Sequence, residues 1–498
     1  VAEHIGRRQL LAGMGALAAA ASAPVMARAQ GWDLAADVVV LGAGAAGCCA
    51  AIEAAQSGAS VLLLEHLAQA GGASGLGPGV IYAGGGTALQ RALGVADDTD
   101  AMFAFLSRAG GPNPPLDKLR LYCEESPAHF DWLVAQGVTY REALSEARGT
   151  PADSASLFFS GAERDWPARD FAAPAPRGHV PGLSGTTGGA ALMRALLRRV
   201  AELGVDLRTS MRGERLVMLS DGRVGGVAVS AASGLLHVQA RRGVVLSCGG
   251  FIQERAMVRR YAPRLHECAT PWGGAGDLGM GINMAVAAGA AAPRMDEGAA
   301  MSRLDASGAA LAGLLVNAAG QRFIAEDSWE GLIGHAITYE QRGRAWLVTD
   351  QAGALPETQQ DFELAARSNT IGGIEEALGL PRGALQQSVA YYNRYAGRGE
   401  DPQFRKSRAF LRPVQGPPYS AWAVSGERAF FPAFTLGGVA TGLSGEVLDA
   451  YGEAMPGLYA AGRNASGMVS APLLASGLSL GDATFFGRRA GRAAAGAA

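Results

Sequence analysis

Gly42, Gly44 and Gly47 stand in the run VVVLGAGAAG (residues 38–47) at the spacing G-x-G-x-x-G. That spacing handles phosphate. Gly42 allows a tight turn, Gly44 leaves bare backbone for a pyrophosphate, and Gly47 lets a helix pack close to a strand. A helix starting here turns free N–H groups and a positive dipole end toward the phosphates. About 20 residues on, the segment SVLLLE (60–65) ends on Glu65, where an acid that binds a ribose 2′-hydroxyl is expected. The acid also disfavours a 2′-phosphate, and with it NADP. Together these residues predict a dinucleotide site.

Other chemistries lack their residues. The five cysteines, Cys48, Cys49, Cys123, Cys248 and Cys268, form no C-x-x-C or C-x-x-C-H, so a metal or c-type haem site has no support. Cys48 and Cys49 fall in the helix behind the glycine turn and read as packing. Lys118 and Lys406 are the only lysines, which leaves few candidates for Schiff-base chemistry. No G-x-x-x-x-G-K-[ST] phosphate loop is present. Net charge is −2 with the signs mixed, and no basic stripe points to nucleic acid.

The 498 residues, 49% of them hydrophobic, allow two or three domains with large cores. Residues 1–29 read as an export signal of twin-arginine type: Arg7-Arg8, an Ala/Leu-rich stretch from Leu10 to Met26, then Ala27-Arg28-Ala29 as a small-x-small cleavage site. The protein is therefore expected to be exported to the periplasm, or to be cytoplasmic if this start is an over-extension. No later stretch reaches the ~18 apolar residues needed for a membrane span.

Residues 31–290 read as the first part of a Rossmann-like domain. Its opening βαβ unit leads into GGASGLGPGVIYAGGGT (71–87), whose eight glycines bring backbone close to a ligand. Helices are predicted over 98–145, a Pro/Ala/Gly-rich surface excursion over 147–185, and an amphipathic helix over 186–204. Strands follow at VDLRTS, ERLVML and GGVAVSA, with a hairpin at Asp221-Gly222, and another strand at GVVLSCGGF (243–251). Residues 291–425 change character and read as an inserted α+β domain. Residues 426–498 return to the first domain through GLYAAG (457–462) and a final helix. GLYAAG lacks a full fingerprint and a ribose acid, so a second nucleotide site is not expected. One long cofactor touched from both ends of the chain fits better, and FAD answers that description better than NAD.

VVVLGAGAAG, Glu65, GGASGLGPGVIYAGGGT, GLLVNAAGQRFIAED, GLYAAG and SGLSLGDATFFGRRAG together resemble the flavoproteins that group fumarate reductases with 3-ketosteroid dehydrogenases. GVIYAGGGT and the last motif are most similar to the branch acting on the Δ4 bond of 3-ketosteroids. The resemblance implies FAD in the Rossmann-like domain and a capping domain closing over the isoalloxazine. Gly42, Gly44, Ala45, Ala46 and Gly47 would hold the pyrophosphate, and Glu65 the adenine ribose with His66 beside it. Gly72, Ala73, Ser74 and Gly79 would line the middle of the cofactor. Asp277, Gly462 and Arg463 would sit near the ribityl and phosphate region. Gly477, Ser479 and Leu480 would present N–H groups to the flavin pyrimidine edge, where negative charge appears on reduction. Histidine-linked FAD is a variant in the family, but His66 lies too far from the isoalloxazine, so a non-covalent cofactor is expected.

Departures from the family pattern select the substrate. Fumarate reductases use an arginine as proton donor, and Glu330 stands at its place. FTLGG (434–438) lacks the usual histidine, and APLLASG (471–477) has Leu474 where a second arginine is usual. A dicarboxylate would meet a carboxylate and an apolar wall. The steroid reading needs an apolar pocket with hydroxyl donors: Ser476 supplies one, and Trp329 and Leu474 stand where that branch places tyrosines. Tyr82 is a candidate to replace one of these. The expected reaction is dehydrogenation of a CH–CH bond beside a ketone, with electrons leaving to an external acceptor, a quinone or redox protein. The competing readings are a reductase of an α,β-unsaturated acid and a flavin-binding protein with degenerate chemistry.

Overall fold

The computed structural model describes residues 31–496 apart from 148–150, 152–154, 183–186, 269, 305–307, 356–361 and 425. The expected export signal lies outside the described residues. The fold is mixed α/β. Its main sheet runs in the order Glu446–Leu448, Ala454–Ala460, Gly234–Leu246, Leu34–Leu41, Val61–Leu64, Asp206–Arg208. The pairings from Ala454–Ala460 through Asp206–Arg208 are parallel, with Val38–Leu41 opposite Val61–Leu64.

Val38–Leu41 are all buried, because a parallel sheet is covered on both faces. Successive side chains point to opposite faces. Val38, Val40, Val61 and Leu63 therefore enter one core, and Val39, Leu41, Leu62 and Leu64 the other. Each such side chain contributes roughly 1.5–3 kcal/mol by burial. The predicted hairpin at Asp221-Gly222 joins Arg212–Met218 to Val224–Ala231, with Gly222 at φ 84°.

On the first core lies a helix pair that brings the two ends of the chain together. Ala45–Gln56 and the C-terminal helix Leu478–Ala494 run parallel in backbone contact. A Cβ on Gly487 would lie 2.5 Å from the Ala46 carbonyl oxygen, and one on Gly491 2.1 Å from that of Ala50. Only glycine permits this approach. Glu53 locks the pair from the side, bonding Arg488 at 2.9 Å and Arg492 at 3.0 Å. The pairing staggers the helices by eight residues, so their N-termini lie roughly 12 Å apart along the shared axis. One long ligand can meet both positive ends.

Much of the described part of the segment expected as a surface excursion is interior. Leu157–Phe158 and Gly178–His179 pair in a small sheet with Ile81–Tyr82 and Leu144–Ser145. Ser156, Leu157, Ser160, Glu163, Arg177 and His179 are buried. Composition misled here because the segment's polar groups find partners inside. Arg177 makes a two-pronged pair with Asp97, at 2.6 and 3.0 Å. Glu163 accepts the Gly161 N–H at 2.9 Å through one oxygen, while its other oxygen is buried with no hydrogen-bond partner among the described residues.

Burial pushes Glu163 from 4.5 up to about 7. A raised folded value means that the fold favours the protonated form, so stability present at acid pH is lost as pH rises from about 4.5 through 7. The loss is about 3 kcal/mol. Glu163→Gln is expected to remove that slope and to stabilise the protein above neutrality. Urea melts across this pH range test it; an identical slope in the variant would refute the assignment.

Residues within 314–423 build a further sheet, antiparallel throughout, ordered Leu314–Asn317, Ala345–Thr349, Tyr419–Ala423, Glu363–Ser368. Helices Ile371–Ala377 and Ala384–Ala396 share with it an apolar cluster including Leu314, Val316, Val348, Ile374, Leu385 and Tyr392. Among the described residues no helix is long and apolar enough to cross a membrane, and no His/Cys/Asp/Glu cluster could hold a metal.

Candidate functional site

A single elongated cavity runs from Glu65 and His66 past Gly42, Ala45, Ala46 and Gly72–Ser74 to Asp277 and Arg463. It continues to Ser476–Gly477, Ser479 and Leu480, and its far wall holds Met301, Glu330, Phe434, Leu473 and Ala475.

At the first end Glu65 ties the turn to the strand. Its two oxygens accept the N–H groups of Ala43 and Leu67, each at 2.8 Å. A carboxylate oxygen accepts more than one hydrogen bond, so ribose hydroxyls can still be received. His66 Nδ1 is buried without a partner among the described residues. The three glycines divide their work as the spacing predicts. Gly42 has φ 101°, a left-handed conformation that side chains resist. A Cβ on Gly47 would fall 1.8 Å from the Gly42 carbonyl oxygen, whereas one on Gly44 would meet nothing nearer than Ser74 Oγ at 3.6 Å. The open space beside Gly44 is the approach left for phosphate. Ser74 Oγ accepts the Ala45 N–H at 3.2 Å.

Midway, Asp277 receives Arg463 Nη2 at 2.7 Å and the Gly274 N–H at 3.0 Å. Cys248 also lines the cavity, and burial pushes its thiol up to about 12, so it stays neutral. At the far end the C-terminal helix begins behind Gly477, at φ 96°, with no side chain capping it. The Gly477 carbonyl accepts the Tyr82 N–H at 3.1 Å. The first N–H groups of that helix have no intrahelical partners, and Ser479 and Leu480 are on the wall.

These features fit FAD. A bare-backbone cradle and helix end suit a pyrophosphate, an unpartnered buried histidine nitrogen lies at the nucleoside end, and a second helix end is placed for the electron-rich edge of a reduced flavin.

Other expected site residues lie off the cavity. Gly79 has φ 76°, and a Cβ there would lie 2.0 Å from the Gly188 backbone, so its role is packing against the helix Gly188–Glu202. Tyr82 is fully buried, stacks on Phe105, and has its hydroxyl beside the Arg177 guanidinium. Burial pushes its phenol well above the usual range. It does not line the cavity and is not placed to touch a substrate there. Trp329 and Leu474 also sit behind the wall, each nearly buried. Along APLLASG, Leu473, Ala475, Ser476 and Gly477 line the cavity and Leu474 does not; it is buried in the core cluster.

Ser476 does line the cavity, and its backbone is clamped. Its N–H donates to Ser160 O at 2.8 Å, and its carbonyl accepts Ser160 Oγ at 2.9 Å. The Ala162 N–H donates to the Leu474 carbonyl at 2.9 Å. Met301, Phe434 and Glu330 complete the wall. Phe434 lies in FTLGG, but no spacing rule joins 301, 330 and 434.

A family model described as the FAD binding domain matches residues 37–477. The crystal structure of 3-ketosteroid-delta4-(5alpha)-dehydrogenase from Rhodococcus jostii RHA1 in complex with 4-androstene-3,17-dione is similar at 40% identity and TM-score 0.87, covering 95% of this chain and 99% of that one. The 3-oxo-5-alpha-steroid 4-dehydrogenase of Comamonas testosteroni is 29% identical, over 86% of this chain and 93% of that protein. A fumarate reductase (cytochrome) of Shewanella frigidimarina is 28% identical, over 92% of this chain and 77% of that protein.

Proposed function

This chain belongs to the FAD-binding domain family and is an FAD-dependent dehydrogenase of CH–CH groups, and we propose that its substrate is a 3-ketosteroid, or a similar apolar cyclic ketone, oxidised at the Δ4 position. The observation that carries the substrate is the chemistry of the far wall. Met301, Phe434, Leu473 and Ala475 are apolar, and Ser476 offers one hydroxyl. Arg463 is the only arginine or lysine lining the cavity among the described residues, and Asp277 already pairs with it. A dicarboxylate would find no uncommitted cation there and would lose its hydration against apolar side chains. A fused-ring ketone would lose little.

When bound, FAD supplies a hydride acceptor. The chain's own groups bind the rings, exclude water and polarise the ketone. Ser476, held rigid by Ser160, is assigned as a hydrogen-bond donor to the ketone oxygen, where charge grows as the neighbouring carbon gives up its proton. Gly42, Ala45, Ala46, Glu65, Ser74, Arg463, Gly477, Ser479 and Leu480 are assigned to the cofactor. His66 adjoins the ribose acid, which supports a non-covalent FAD. Residues 291–425 are assigned as the inserted capping domain between the two parts of the FAD-binding domain, 31–290 and 426–498; Met301 and Glu330 on the wall support this. The electron acceptor is assigned as a quinone or redox protein, and residues 1–29 as an export signal.

Anaerobic addition of a saturated 3-ketosteroid is expected to bleach the flavin. Absence of bleaching across a steroid panel, with reoxidation of the reduced enzyme by fumarate or urocanate, would overturn the proposal; silence toward every organic substrate would favour a degenerate flavin carrier. Ser476→Ala is expected to lower the bleaching rate by roughly 10²-fold with the flavin spectrum intact. An unchanged rate would remove Ser476 from the site.

A further inference from the structure

The segment 160–165 touches both halves of the far wall. On one side it pairs with the stretch that carries Ser476. Besides the two bonds between Ser160 and Ser476, the Ala162 N–H reaches the Leu474 carbonyl, and Gly161 lies opposite Ala475. A Cβ on Gly161 would fall 2.3 Å from the Ala475 methyl and 2.3 Å from the Leu474 carbonyl oxygen. On the other side Asp165 receives the Trp329 N–H at 2.5 Å, where the helix Glu330–His335 starts. That helix is itself packed backbone to backbone. A Cβ on Gly331 would lie 2.3 Å from the Leu473 carbonyl oxygen, and one on Gly334 2.1 Å from that of Ala300. From behind, Gly178 closes on Ser160, since a Cβ there would lie 2.5 Å from the Ser160 Cβ.

Glu163 sits within this strap but does not line the cavity. It is buried, and one of its oxygens fixes the strap by accepting the Gly161 N–H at 2.9 Å. The groups that face it are the Arg177 guanidinium, already held by Asp97, the Tyr82 hydroxyl beside that guanidinium, and Asp165 on the strap itself.

We propose that Glu163 is a positioning residue: by holding Gly161 it keeps the strap in register, and the strap sets where the Ser476 hydroxyl meets the ketone. This rests on the role given to Ser476 above. The protonated carboxyl suits the enclosed site, because an unpartnered buried charge is costly. Burial raises the group most, Asp165 adds to it, and Arg177 and the Gly161 N–H oppose it, which leaves ionisation at about 7. Above that pH the charge needs water, and the strap must open to admit it. Opening at Gly161 gives up the bonds on either side, from Ser160 to Ser476 and from Ala162 to Leu474. The serine then loses its fixed direction. The tight form is the protonated one, so turnover is fast below about 7 and declines above it.

The test uses FAD-loaded enzyme and anaerobic flavin bleaching by a saturating 3-ketosteroid, followed across neutrality. The wild-type rate is expected to fall as pH rises through about 7, and Glu163→Gln to lack that decline. Glu163→Ala, which loses the bond to Gly161, is expected to bleach about 10²-fold more slowly. Glutamine at this position, which keeps an oxygen for Gly161, should recover most of that loss. The decisive readout is a double-mutant cycle. In a Ser476→Ala background, Glu163→Ala is expected to cost no more than about 2-fold further, because the residue acts through the serine. The proposal fails if Glu163→Ala costs the same factor in both backgrounds, or if wild type and Glu163→Gln share one pH profile. Should Glu163→Ala not hold FAD, the profile of Glu163→Gln decides alone. A wild type that no steroid bleaches overturns the substrate reading and this role with it. A Ser476→Ala variant as fast as wild type overturns the Ser476 assignment, a result distinct from additivity in the cycle.

Discussion

Gly47→Ala is expected to yield a protein that neither retains FAD nor reaches the wild-type melting temperature when FAD is added in excess. The added methyl would lie 1.8 Å from the Gly42 carbonyl oxygen, 2.6 Å from Ser247 Oγ and 3.0 Å from the Gly42 carbonyl carbon. Ser247 could rotate, but the Gly42 backbone cannot yield cheaply. Its amide donates to the Leu64 carbonyl at 2.7 Å, and its φ of 101° leaves the turn no relaxed alternative. Overpacking of side chains costs about 1–3 kcal/mol, and a backbone clash belongs at or above the top of that range. The helix Ala45–Gln56 must move, and with it the floor of the cavity and the contact with Gly487 and Gly491. Loss of bound cofactor then removes its own stabilising contribution. Gly44→Ala is the informative contrast. Its methyl points into open space, so the apoprotein should melt normally while FAD affinity falls. Flavin-to-protein absorbance ratios and thermal melts of both variants decide the matter. Normal flavin content in Gly47→Ala would contradict the packing role, and normal flavin content in Gly44→Ala would contradict the phosphate approach.

Arg322→Met is expected to cost about 3–5 kcal/mol in the unit built on residues 314–423. Arg322 bonds Glu326 at 2.9 and 3.0 Å and both oxygens of Asp401 at 3.0 Å, and all three side chains are buried. Lys406 adds a contact to Glu326 at 3.1 Å. Burial works to raise Glu326, but Arg322 and Lys406 outweigh it and hold it down at about 2. Removing the arginine leaves Glu326 with Lys406 as its one cation among the described residues and Asp401 with backbone N–H groups. At least one of these carboxylates must then bind a proton at higher pH than in the wild type, so the deficit should shrink as pH falls toward the usual carboxylate range. Urea unfolding of wild type and variant at neutral and mildly acidic pH measures both effects. A deficit below about 1 kcal/mol, or one that grows on acidification, would show that this cluster does not behave as a buried charge network.

Much of the cofactor half was legible because its signals are local. The turn, the following helix and Glu65 lie within one short stretch, and a positive-φ glycine or a helix end near a strand means the same thing in any surroundings. Hairpin and helix boundaries near Asp221-Gly222 and Thr187 follow for the same reason. The substrate half resisted. Tyr82, Trp329 and Leu474 are plausible by motif, yet none of them lines the cavity, and residues 156–179 of the Pro/Ala/Gly-rich stretch supply the buried Arg177, Glu163 and the Ser160 clamp.

By itself, the sequence determined that this protein has a dinucleotide turn, which end of the cofactor that turn holds, and that Glu330 and Leu474 stand where the resembled dicarboxylate enzymes carry arginines. These are properties of residue type and short-range backbone geometry. Only the tertiary structure decided which side chains make the far wall. Met301, Glu330, Phe434, Leu473 and Ser476 come from distant parts of the chain, and Ser160, from yet another, clamps the backbone of Ser476. They meet because glycines at 331, 334, 487 and 491 let backbones touch, and such contacts depend on the whole packing of the fold.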